Sequence, residues 1–101
     1  EVVLKYKADP LVHDRISVSL FHSAMKAGAY ALRNAKELNV PLLLMHGSDD
    51  QICSPEGSRE FASLSATTEL KIWEGGYHEL HNEPFRIEVF GYITGWINRH
   101  I

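Results

Sequence analysis

Two short apolar runs are each followed by a glycine turn and a group able to handle a proton, so chemistry is sought there first. Leu42-Leu43-Leu44-Met45 leads into His46-Gly47-Ser48-Asp49-Asp50, and Leu70-Lys71-Ile72-Trp73-Glu74 leads into Gly75-Gly76-Tyr77-His78. Open parallel sheets gather reacting groups just beyond the carboxyl ends of their strands, and neighbouring strands lie about 4.8 Å apart. If both runs are parallel strands, the acidic pair and His78 therefore come within reach of each other. A carboxylate bonded to imidazole Nδ1–H selects the tautomer with a free Nε2 and stabilises the imidazolium formed when that nitrogen takes a proton. This is two thirds of a nucleophilic triad. No G-x-S-x-G pattern occurs: Ser48 lacks it, and Ser58 follows Gly57 inside an expected helix.

The remaining reactive residue types carry less. His78-Glu79-Leu80-His81 reads H-E-x-H, one residue short of the spacing that sets two zinc ligands one helical turn apart, so no metal or other cofactor is expected. Cys53 lies three residues past Asp50, where a bulky adduct would disturb an acid–histidine pair, although a small structural thiol is the simpler reading. His46 ends an apolar run and is expected to be a hydrogen-bonded structural histidine. His13, His22 and His100 have no partner visible in the sequence.

Positioning these groups requires elements around them. Glu1 to Lys7 alternates weakly and suggests a short extended segment, ended by Asp9-Pro10. From Ile16 to Leu38 the apolar residues follow three-and-four spacing, as one helix or as two bent near Gly28, with Asn39 as the stop. Leu42–Met45 is apolar on both faces, as a buried parallel strand is. Ser54 and Pro55 form a helix start, with Phe61 and Leu64 on its inner face. Leu70–Glu74 is the second strand, Tyr77–Glu83 a loop, and Pro84 opens a last helix. The expected inward stripe of that helix is Phe85, Val89, Phe90, Ile93, Trp96 and Ile97, with Arg86, Glu88, Asn98 and Arg99 outside. Strand, helix, strand, helix implies parallel strands joined by a right-handed crossover, an α/β layer structure.

Composition narrows the classes. With 101 residues, 45% hydrophobic and 23% charged, the chain has room for one ordinary globular unit. Ten basic against thirteen acidic residues give a formal charge of −3, which is no footprint for nucleic acid. The apolar run at Val40–Met45 is far below the roughly 20 residues that span a bilayer. A single cysteine excludes an internal disulfide framework and fits a reducing compartment. A soluble, cytoplasmic protein is expected, with membrane surfaces open to the intact molecule.

Several segments together resemble a known family. His46-Gly47-Ser48-Asp49-Asp50-Gln51-Ile52-Cys53-Ser54-Pro55, Leu70 to Leu80 and Asn82-Glu83-Pro84 look like the C-terminal part of α/β-hydrolases of the monoacylglycerol lipase and lysophospholipase group. Asp9-Pro10-Leu11-Val12-His13 is similar to the end of that family's cap region. The resemblance implies the C-terminal part of an α/β-hydrolase fold. Residues 1–38 would be the end of the cap with its connecting helices, and 39–101 the strand-helix-strand-helix of the core. It also makes Asp50, rather than Asp49, the triad acid and His78 the triad base, in the chain order of nucleophile, acid, histidine.

Further consequences come with the resemblance. The nucleophile elbow and oxyanion loop would lie upstream of Glu1, so the remainder of the hydrolase is a required partner and this chain alone would be inert towards esters. Cap residues line an acyl tunnel in the family, which makes Leu11, Val12, Leu20 and Phe21 candidates for contact with a lipid-like ester such as a monoacylglycerol or lysophospholipid. Strands apolar on both faces would leave open edges that favour self-association. The alternatives are another acyl chemistry on the same scaffold, such as a peptidase or thioesterase, or a non-catalytic interaction module that retains it.

Overall fold

The computed structural model describes residues 2–10 and 16–101, which fall into two compact units, 1–30 and 31–101. In the first unit, helix α1 spans Val2–Ala8, where an extended segment was expected. An extended segment needs a partner to satisfy its backbone, and among the described residues no strand pairs with this one. A helix satisfies its interior backbone groups internally. Helix α2, Val18–Arg33, begins where the Ser17 hydroxyl accepts the Leu20 N–H at 3.0 Å, a side-chain cap the periodicity did not reveal. It is one helix through Gly28 and ends short of Asn39. A 3₁₀ turn, Ala35–Glu37, follows and buries Ala35 in the second unit.

Strand β1, Leu42–Gly47, pairs in parallel with β2, Thr68–Trp73, in a register running from Leu42 opposite Thr68 to Gly47 opposite Trp73. The second strand therefore starts two residues before the expected Leu70. The connection is helix α3, Pro55–Leu64, whose Ser54 cap accepts the Glu56 N–H at 3.2 Å with Pro55 as the first helical residue. Alternation along a strand sends successive side chains to opposite faces. His46 meets Ser58 of α3 on one face. On the other, Trp73 stacks against Phe85 with centroids 5.7 Å apart and meets Tyr92 edge-on at 5.9 Å. Helix α4, Arg86–Asn98, thus covers the face opposite α3, and the sheet is clothed on both sides.

Two parts of the expected core lie outside. Phe90 and Ile97 are 46% and 45% exposed, whereas Val89 is 1% exposed. The face of α4 that meets the sheet runs Phe85, Val89, Tyr92, Ile93 and Trp96; Phe90 and Ile97 each sit about 100° further round the helix. Leu64 is likewise exposed on α3 while Phe61 is half-buried. The strands are half-buried except at Gly47, because a two-stranded sheet has open flanks even when both faces carry a helix.

The strand ends are joined tightly. Ser48 N–H donates to the Trp73 carbonyl at 3.0 Å, Asp49 N–H to the Gly76 carbonyl at 2.9 Å, and Gly75 N–H to the Ser48 hydroxyl at 2.8 Å. Gly75 has φ +75°, the left-handed region glycine adopts without cost. Gly47 lies so close to the Gly76 and Tyr77 backbone that no side chain fits there. The loop after β1 and the loop after β2 are thereby held as one block.

Candidate active site

On that block Asp50 and His78 meet. The His78 Nδ1 lies 3.0 Å from Asp50 Oδ2. A carboxylate oxygen only accepts, so Nδ1 carries the proton and Nε2 presents a lone pair. The Asp50 side chain is 4% exposed and the His78 side chain 44%, so the acid is enclosed while the imidazole opens to solvent. Asp50 Oδ1 accepts the N–H groups of Ile52 and Cys53 at 2.9 and 3.0 Å. These bonds close the turn between β1 and α3 around the carboxylate.

Burial alone would raise the Asp50 carboxyl. The hydrogen bonds from Cys53, His78 and Ile52, with the charge interaction with His78, outweigh it and lower the pKa from 3.8 to about 2. A group whose pKa is lower folded than unfolded contributes stability above its unfolded value and loses it as pH falls through the folded one. Unfolding measured against pH is therefore expected to show stability falling from about 3.8 towards about 2, and Asp50→Asn is expected to flatten that part of the curve.

Two neighbours were not assigned to this pair from sequence. His46 Nε2 lies 3.0 Å from Asp50 Oδ2, so both imidazoles converge on one oxygen. Sequence reading had it as a hydrogen-bonded structural histidine, and the available signal was its four-residue spacing from Asp50 across a glycine turn. Glu83 Oε1 accepts the Tyr77 N–H at 2.9 Å and so ties down the loop that carries His78.

Asp49 is exposed and accepts the Ser48 hydroxyl at 3.2 Å, a turn contact. Cys53 is exposed and free. Leu20 and Phe21 are exposed on α2, at 57% and 52%, in the first unit, and Leu11 and Val12 lie outside the described residues. Among the described residues no group of three or more His, Cys, Asp or Glu side chains could hold a metal ion. No helix of the described residues is long and apolar enough to cross a membrane.

Residues 1–85 match the family described as serine aminopeptidase, S33. The chain belongs to this α/β-hydrolase family. Among similar proteins, a monoacylglycerol lipase of Mycolicibacterium smegmatis is 36% identical, with 100% of this chain and 37% of that protein aligned. The human monoglyceride lipase is 32% identical over 93% of this chain and 33% of its own length. The crystal structure of the Paleococcus ferrophilus monoacylglycerol lipase superimposes with a TM-score of 0.89 at 34% identity, covering 99% of this chain and 40% of that one. The chain thus spans about a third of the lipases it matches. The α/β-hydrolase fold read from the motifs stands on these matches together with the parallel strands.

Proposed function

We propose that this chain supplies the acid and base of a Ser-His-Asp triad in a hydrolase of carboxylic esters of monoacylglycerol or lysophospholipid type. The observation that carries the reading is the bond from His78 Nδ1–H to the enclosed Asp50 carboxylate at the carboxyl ends of two adjacent parallel strands. The lipase relatives support the ester class. In the reaction, His78 Nε2 removes the proton of a serine hydroxyl as its oxygen attacks the ester carbonyl, and then delivers that proton to the leaving alcohol. Asp50 holds the ring and stabilises the transient imidazolium.

Among the described residues no serine hydroxyl is bonded to the His78 ring. The nucleophile and the oxyanion donors are therefore assigned to a part of the protein outside this sequence, without which Asp50 and His78 can neither form nor hold a tetrahedral intermediate. The α4 face of the sheet supports that assignment. Beside β1 it is apolar, with a groove lined by Leu42, Leu43, Met45, Ile93 and Trp96. Beside β2 it is charged: Tyr92 bonds Glu69, Arg99 pairs with Glu69 at 3.6 Å, and Lys71 lies over the Trp73 ring. The apolar groove assigns the flank beside β1 to the rest of the hydrolase or, in its absence, to a second copy. Leu20 and Phe21, with Leu11 and Val12, are assigned to acyl-chain contact.

The test is labelling by a fluorophosphonate, which marks activated serines. The whole protein carrying this sequence is expected to be labelled and to be protected by a monoacylglycerol, while the 101-residue chain alone stays unlabelled. Failure of the whole protein to label or to hydrolyse esters sinks the reading. Protection by aminoacyl substrates, and none by monoacylglycerol, would favour the peptidase chemistry that the family's description carries.

A further inference from the structure

Resting on the proposed roles of Asp50 and His78, we propose that His46, backed by Ser58, is a positioning residue that holds the Asp50 carboxylate in line with His78. His46 Nε2 lies 2.9 Å from the Cys53 carbonyl and 3.0 Å from Asp50 Oδ2. The carbonyl only accepts, so this nitrogen carries a proton and donates it to Cys53, with the Asp50 oxygen lying against the same edge of the ring. Its Nδ1 lies 2.7 Å from the Ser58 hydroxyl, so the ring is held at both nitrogens. The ring is thus bonded at Nδ1 to Ser58 and at Nε2 to the Cys53 carbonyl, and Cys53 N–H in turn donates to Asp50 Oδ1 while His78 Nδ1–H donates to Oδ2.

The two oxygens of Asp50 thus have different holders. Oδ1 is tied to its own turn by the Ile52 and Cys53 N–H groups. Oδ2 is the working oxygen, and the hydrogen bond it accepts comes from the ring it must orient, so its setting depends on the turn and on the His46 ring packed 3.0 Å away. His78 is 44% exposed and gives no fixed reference, whereas His46 is 11% exposed and locked at both nitrogens. A ring locked at both nitrogens against Oδ2, and bonded to the same Cys53 whose N–H holds Oδ1, keeps the carboxylate turned towards His78 while that ring gains and loses a proton. Orientation by a buried outer partner is a general device: loss of such partners costs about tenfold to hundredfold in activity.

The experiment compares His46→Leu, His46→Gln and Ser58→Ala in the whole protein. Leu keeps volume without a donor, while Gln places an N–H where Nε2 stood. For His46→Leu, kcat is expected to fall about tenfold to hundredfold with KM unchanged, and His46→Gln is expected to recover most of that loss. Ser58→Ala, which releases Nδ1 and leaves the ring, is expected to lower kcat by a smaller factor. The proton resonance of His78 Nδ1–H should exchange faster with water in the Leu variant than in the Gln variant. Equal losses in Leu and Gln, or a wild-type kcat in a folded Leu variant, would overturn the proposal. If the Leu variant does not fold, a wild-type kcat in Ser58→Ala overturns it. Should the wild-type protein hydrolyse no ester, the functional reading fails, and the His78 resonance still decides whether His46 holds the Asp50–His78 bond.

Discussion

Asp50→Asn in the whole protein is expected to lower kcat for ester hydrolysis by about 10⁴-fold, the scale of losing the acid of a Ser-His-Asp triad, with KM little changed. The size follows from donor and acceptor geometry. The Asn carbonyl can take the place of Oδ1 and keep the Ile52 and Cys53 N–H groups. The amide nitrogen then stands where Oδ2 stood and points a donor at the imidazole N–H of His78. His78 relieves the conflict by moving its proton to Nε2, the nitrogen that must accept the proton of the serine. The substitution preserves shape and removes the base. Steady-state hydrolysis and the rate of fluorophosphonate labelling measure the effect, and a melting curve confirms that the variant is folded. A kcat within tenfold of wild type would remove Asp50 from the triad.

The second large effect is expected at Gly47. A Cβ on Gly47 would run into the carbonyl carbon and oxygen of Gly76 and the carbonyl oxygen of Tyr77, backbone atoms that cannot rotate away as a side chain can. To admit a methyl group, the carboxyl ends of β1 and β2 must part, breaking the bonds from Ser48 to Trp73 and from Asp49 to Gly76. Gly47→Ala is therefore expected to destabilise the protein by about 3 kcal/mol, the upper range for overpacking. It also lowers activity by drawing Asp50 from His78. The control is Gly57→Ala inside α3, where nothing lies within 4 Å of the added carbon. That change is expected to be neutral or to stabilise by about 0.5–1 kcal/mol. Chemical denaturation of both variants decides the matter. If Gly47→Ala is as stable as Gly57→Ala, the close approach is not what holds the two loops together.

Much of this site could be read from the chain because it depends on local chemistry. An apolar run too short for a helix, closed by glycine and followed by a proton-handling group, marks a strand end whatever surrounds it. Two such ends in a strand-helix-strand order have few ways to lie other than side by side. The Ser54-Pro55 helix start is similar, since its cap and its missing N–H are satisfied within a few residues. The expectation failed where satisfaction is not local. Residues 2–8 alternate weakly enough to pass for a strand, yet the described chain offers them no partner and they coil. On α4 a general apolar stripe was evident, but which flank of it meets the sheet depends on where Trp73 places its ring.

The sequence by itself determined the layer order, the parallel pair and the residue types at its carboxyl ends, because periodicity, glycine and capping are properties of short stretches. Tertiary structure alone decided that Asp50 Oδ2 lies 3.0 Å from two imidazoles, that Glu83 holds the loop before His78, and that Phe90 faces outward. Each of these depends on strand register and on a close approach between backbones distant in sequence, and a contact of that kind exists only once the sheet has formed.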